Sequence, residues 1–168
     1  LAVAATPAHP LNVDWLGAYL WAKPLVERDS FWNYTVTESW RKRGAVHRLI
    51  RTAQAQDLTS LSAGAARRLG TTLAWFCASS DREIRENATE ALARLMIEQD
   101  VSAPILDQFG TIDDDYVLEA VMAAVYGAGL RRPEREYWRL VAAVAYRHVF
   151  DSGRVPDNVL VRDLARLI

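Results

Sequence analysis

Apolar positions along this chain recur mostly at helical spacing. From Asp81 onward, Ile84, Ala88, Ala91, Leu92 and Leu95 fall on one side of a helix, while Arg85, Glu86, Glu90 and Arg94 lie mostly on the other. Asp81-Arg82-Glu83-Ile84 has the form of a capping box relaxed to Asp, with Glu83 near the positive end of the helix. Small residues at Ala88 and Ala91 allow a neighbouring helix to come close. A short second helix is expected from Val101 to Phe109, with Pro104 in its first turn and Gly110 after it. The plan then repeats. Asp113-Asp114-Asp115 supplies caps, and Tyr116, Ala120, Ala123, Ala124 and Gly127 follow, a similar pattern displaced by about 32 residues.

The flanking segments read the same way. Asn12 to Trp21 is helical and limited by Pro24. Asp29 or Ser30 caps a helix bearing Phe31, Tyr34 and Trp40. Gly44 opens another, with Val46, Leu49, Ile50 and Ala53 on its inner side, and Ser60 or Ser62 opens one through Leu69, Leu73 and Phe76. Pro133 precedes a long helix through Tyr137, Leu140, Val141, Val144, Ala145 and Val149. After the break at Ser152-Gly153 and Pro156, a last helix carries Val159, Leu160, Leu164, Leu167 and Ile168. Thr35-Val36-Thr37 is briefly β-prone, but nothing alternates long enough to make a sheet. The expected fold is all-α: about nine helices in a HEAT-like stack of helix hairpins, forming one domain over residues 1–168.

Composition sharpens this picture at the N-terminal end. Of six Trp, four (Trp15, Trp21, Trp32 and Trp40) stand in the first quarter, so that end either buries them or presents them to a partner. Phe31, Trp32, Tyr34 and Trp40 are expected in the core or between repeats. Hydrophobic residues at 51% and charged residues at 24% are ordinary globular usage. No apolar stretch reaches the roughly 18 to 20 residues that span a bilayer. The opening Leu1 to Ala5 has no basic region of a signal peptide, and the lone Cys77 suits a reducing compartment, so a cytoplasmic location is expected. The first residue is not Met, and a piece of a longer multidomain chain is expected.

Catalytic chemistry is not written here. There is no GxxxxGK loop, no GxGxxG after a strand, no HExxH and no CxxC. His9, His47 and His148 are far apart, and the last two fit boundary positions of amphipathic helices. Asp113 to Asp115 lacks the Gly and distal Glu of a calcium loop and reads as capping. Cys77, between Phe76 and Ala78, reads as a buried inert thiol. No catalytic, cofactor or metal residue is expected in this segment. Two basic clusters remain as the candidate interaction surface: Arg41, Lys42 and Arg43 with Trp40 beside them, and Arg131 with Arg132. Helix C-termini favour such cations in any case. A nucleic-acid-binding solenoid would require these and Arg67 and Arg68 to converge on one face, and a net charge of −1 weighs against it.

Several stretches together resemble one family. They are "ERDSFWNYTV" at 27–36, "GAVHRLIRTA" at 44–53, "LAWFCASSDREIRENATEALARLM" at 73–96, "DDDYVLEAVMAAVYGAGLR" at 113–131 and "VPDNVLVRDLAR" at 155–166. In this order they look like the helical-repeat region downstream of the ATPase in bacterial STAND NTPases, the NACHT/AAA-type antiphage proteins of the Avs kind. The resemblance implies a parent protein with an effector and an ATP- and Mg-dependent module, and a superhelix that senses a phage protein. This chain holds no Walker motif and no effector, so the family's catalytic residues have no positions here. What the resemblance implies for this segment is a spacer or sensor that binds protein partners and neighbouring domains. A HEAT-like scaffold of another bacterial assembly is the other reading.

Overall fold

The computed structural model describes residues 12–151, 153 and 156–168. Among them are nine α-helices and no strand: α1 (Val13–Trp21), α2 (Leu25–Arg41), α3 (Ala45–Ala55), α4 (Ala63–Phe76), α5 (Arg82–Glu98), α6 (Ser102–Phe109), α7 (Asp115–Gly129), α8 (Arg135–Val149) and α9 (Val159–Leu167). The all-helical expectation holds.

Most of the helices sort into two rows. In one, α3, α5, α7 and α9 lie side by side; in the other, α1, α4, α6 and α8 do. Side-chain contacts fix the directions. Gln54 of α3 donates to Glu90 of α5 at 2.8 Å, and further along the amide of Leu58 reaches Glu98 at 2.7 Å, so α3 and α5 run parallel. Arg85 sits over the Tyr116 ring at the start of α5 and α7, and Arg132 donates to the Met96 carbonyl (3.2 Å) at their ends. Asn158, capping α9, donates to Glu119 near the start of α7 at 3.1 Å. The second row is parallel too: Thr71 meets Gln108, Tyr137 meets Ser102, and Asp107 meets His148. Short connections between α4 and α5, α6 and α7, and α8 and α9 make each pair a hairpin, and the hairpins stack.

The repeat is real but its register differs by one residue from the sequence expectation. The inward face of α7 is Val117, Val121, Ala124, Val125 and Ala128, whereas Tyr116 is exposed and Ala123 and Gly127 are half-buried. Asp81, Ile84, Ala88, Ala91, Leu92 and Leu95 therefore correspond to Asp114, Val117, Val121, Ala124, Val125 and Ala128, a displacement of 33 residues. Both caps act alike: Asp81 accepts from the Glu83 amide, and Asp114 from those of Tyr116 and Val117. The slip arises because α7 is apolar almost all round. It is packed by α4, α5, α6, α8 and α9, so no single stripe stands out.

Helix α2 begins earlier than Asp29 or Ser30, at Leu25 after Pro24, and runs through the β-prone Thr35-Val36-Thr37. Pro24, at φ −56° and ψ 150°, is set to enter a helix, and Glu27 stands in the first turn. Thr35 turns its hydroxyl to the Phe31 carbonyl at 2.7 Å, the usual way a threonine settles inside a helix. Its contacts place α2 across the starts of three row helices. Arg28 meets Asp113 (2.8 Å) and the capping Asp114 of α7. Asn33 accepts from the Ser80 amide (3.1 Å) ahead of α5, and Ser39 from the Val46 amide (3.1 Å) in the first turn of α3. Residues 28, 33 and 39 are spaced roughly 7.5 and 9 Å along a helix axis. Packed helices stand about 8–10 Å apart. The spacings match, so α2 is a transverse beam that touches the starts of α7, α5 and α3 in turn.

Candidate interaction surfaces

Each proposed interaction residue has a definite place. Arg41 ends α2, Lys42 caps it, and Arg43 takes the left-handed backbone at φ 49° that closes the turn into α3; all three are exposed. Lys42 pairs with Glu38 at 2.9 Å, and the two hold each other charged, Glu38 below its usual range and Lys42 above. Trp40 does not join them on the surface. It is 7% exposed, lies against His47, and has Arg51 over its ring. Arg131 is exposed, but Arg132 is engaged with the Met96 and Gln99 carbonyls, with Asp100 at 2.6 Å, and with the Tyr137 ring.

The two clusters do not converge. Arg41 to Arg43 sit where α3 begins, and Arg131 and Arg132 where the parallel α7 ends. The length of a 15-residue helix, roughly 22 Å, separates those two levels. Arg67 and Arg68 stand on α4 in the other row, where Arg68 pairs with Asp14 at 3.1 Å.

The remaining chemical candidates have defined surroundings. Asp114 caps α7 while buried against Arg28, and that burial lifts its carboxyl above the ordinary range. Arg28 is itself buried, held by Asp113, by the Lys23 carbonyl and under the face of Trp75. Its burial is not signalled nearby in sequence, because its ion-pair partner Asp113 stands 85 residues away. Cys77 is fully buried, and burial pushes its thiol up to about 12. His148 reaches Asp107 at 2.8 Å and holds that carboxyl below its usual range, as a boundary histidine would. His47 packs on Trp40, and His9 lies outside the described residues. No group of three or more potential metal ligands comes together among the described residues.

One sequence feature recurs at four helix starts. Four helices carry an arginine four positions after the cap, and each turns back to carbonyls ahead of the helix. Arg28 reaches Lys23 and Arg48 reaches Arg43, both at 3.4 Å. Arg85 reaches Ser79 and Ser80, both at 2.8 Å; Arg162 reaches Pro156 at 2.8 Å and Asp157 at 3.1 Å. A cation near a helix N-terminus opposes the dipole. Here the carbonyls of the preceding turn accept its protons, so the charge clamps the loop onto the helix.

The N-terminal tryptophans divide between the two fates open to them. Trp32 and Trp40 belong to the core, Trp32 donating to the Trp75 carbonyl at 2.8 Å. Tyr34, expected inside, is 69% exposed, and Phe31 is only partly buried. Trp15 is 51% exposed and stacks on Tyr19, which meets Phe31 edge-on at 5.7 Å. An exposed aromatic strip thus runs from α1 onto α2. Across the stack, a shallow groove of about 560 Å³ between α5 and α7 is lined by Arg82, Arg85, Glu86, Tyr116 and Glu119, carrying both charge signs.

Set against known proteins, the chain matches no family model, no curated protein and no solved structure. Among the described residues, no helix is long and apolar enough to cross a membrane.

Proposed function

We propose that this segment is a protein-binding, non-catalytic part of a larger chain, a HEAT-like helical-repeat spacer or sensor of a bacterial STAND-type defence ATPase. The observation that carries the reading is the stack of hairpins in two parallel rows. No such hairpin buries its apolar sides alone, so stacking creates both the core and an extended outer surface. That surface offers a mixed-charge groove, an aromatic strip and exposed basic turns, a chemistry suited to a protein partner. The antiphage assignment rests on the sequence resemblance. A HEAT-like scaffold in another bacterial assembly has the same architecture and is the second reading. A nucleic-acid solenoid is disfavoured by the separation of the two basic clusters and by the net charge of −1.

Affinity capture of the intact parent protein from cells, with and without phage infection, tests the proposal. A parent lacking residues 1–168 is the control. A phage protein captured by the parent and lost with the deletion supports sensing by this segment. Capture of host proteins alone, unchanged by infection, overturns the defence reading and favours the scaffold.

A further inference from the structure

The corner where α2 turns into α3 gathers charge of one sign. Residues 39–56 hold five of the chain's 20 cations, Arg41, Lys42, Arg43, Arg48 and Arg51, and none of its 21 carboxylates, so the rest of the chain carries a net −6. All five are exposed. Contacts draw the α3 pair back to the turn: Arg48 donates to the Arg43 carbonyl at 3.4 Å, and Arg51 stands over the Trp40 ring. Lys42 alone of the five has a carboxylate partner, Glu38. Elsewhere among the described residues eight arginines pair with a carboxylate, but none of these four does.

The turn also keeps an arginine where the backbone favours glycine. Helix α2 ends in a Schellman motif: the Gly44 amide donates to the Ser39 carbonyl at 2.6 Å, and the Arg43 amide to the Trp40 carbonyl at 2.9 Å. That places Arg43 at the left-handed position just past the cap, usually a glycine. No other non-glycine residue has a positive φ among the described residues. Gly44 is needed for a different reason, since a Cβ there would stand 2.8 Å from Ser39 Oγ. A side chain held in sparsely populated backbone costs stability, and such positions gather at functional sites. The cation is kept against the local preference.

We propose that this corner binds an acidic polypeptide segment of a partner protein, an assignment that rests on the protein-binding reading above. Carboxylates of the segment meet Arg41, Arg43, Arg48 and Arg51, whose planar guanidinium forks suit them. A nucleic acid fits less well. Glu38 and Asp57 bound the basic island along the chain, and Glu90 of α5, which meets Gln54 at 2.8 Å, bounds it across the row. A long polyanion would run on over a surface of net negative charge. A few acidic residues stay within about one Debye length of the arginines, roughly 10 Å at 0.1 M salt.

The test titrates a fluorescein-labelled peptide of about ten glutamates with the 168-residue chain at low salt, read by anisotropy. The expected result is saturable binding that weakens as NaCl rises towards roughly 0.15 M. Arg43→Gly raises the urea midpoint by relieving the turn, yet weakens binding about threefold, the size of an exposed charge pair. Arg41→Glu combined with Arg48→Glu weakens it about tenfold or more. Arg135→Ala, on α8, leaves binding unchanged. No saturable binding, or binding undiminished in the Arg43→Gly and the double variant, overturns the proposal. Tighter binding of a single-stranded DNA of equal charge through the same arginines overturns it in favour of a nucleic acid. Either failure leaves the protein-binding reading to be judged by the capture experiment, which does not depend on the charge of this corner.

Discussion

Arg28 shows how much one side chain can commit to a fold. Its guanidinium is buried between α2, α4 and α7, with two aspartates and one aromatic face around it. Removing one member of a buried ion pair leaves the others uncompensated, so Arg28→Met is expected to cost about 3 kcal/mol in urea unfolding. In an Asp114→Asn background the same change should cost less, because asparagine still caps α7 without a buried charge. Asp107 gives the opposite pH behaviour from Asp114. The hydrogen bond from His148, with Arg147 nearby, lowers its folded-state pKa. Its contribution is therefore full above the ordinary carboxylate range and lost as pH falls through the folded value. Asp107→Asn should flatten the loss of stability between neutrality and about pH 3, read from urea midpoints. Asp114, with its pKa raised by burial, contributes with the reverse sign: its ionisation weakens the fold as pH rises from the unfolded to the folded value. Cys77, pushed up to about 12, should resist alkylation in the native protein and react readily once the chain is unfolded in urea.

At the level of elements, α2 was the hardest to read, and its side chains reach the starts of three other helices. Its charged opening, Glu27-Arg28-Asp29, resembles a loop, and no side-chain cap accompanies Pro24 at its start, so Asp29 and Ser30 stood out instead. The cap at Asp81 and the buried face of α5 were legible because an aspartate, a first-turn glutamate and a spaced apolar stripe agree with one another. On α7 the same logic slipped by one residue, since a helix packed by five neighbours has no broad polar side to fix its rotation. The arginines after the caps were visible as letters, but only their bonds to preceding carbonyls reveal the device. The beam makes its own prediction. Asn33→Ala should cost about 1 kcal/mol, in line with loss of a hydrogen bond, and speed amide hydrogen exchange at Ser80 before it affects the far ends of the helices.

For the whole molecule, the buried residues form one continuous cluster from Leu20 to Ala165, with no gap between hairpins. Urea unfolding followed by tryptophan fluorescence and by far-UV circular dichroism is therefore expected to give coincident transitions. Non-coincident curves would show that the hairpins melt separately. The beam also gives the stack a built-in asymmetry. One end of α3, α5 and α7 is tied to a single crosspiece at three successive points, while their C-terminal ends are joined through longer arginine and amide side chains such as Arg94 and Arg132. Deformation would therefore have a fixed pivot. Like the ribs of a hand fan gathered at the rivet, these three helices would spread at their C-terminal ends, as the Arg94 and Arg132 bonds give, without parting at α2, so a partner that bends the stack would do so along one predetermined arc.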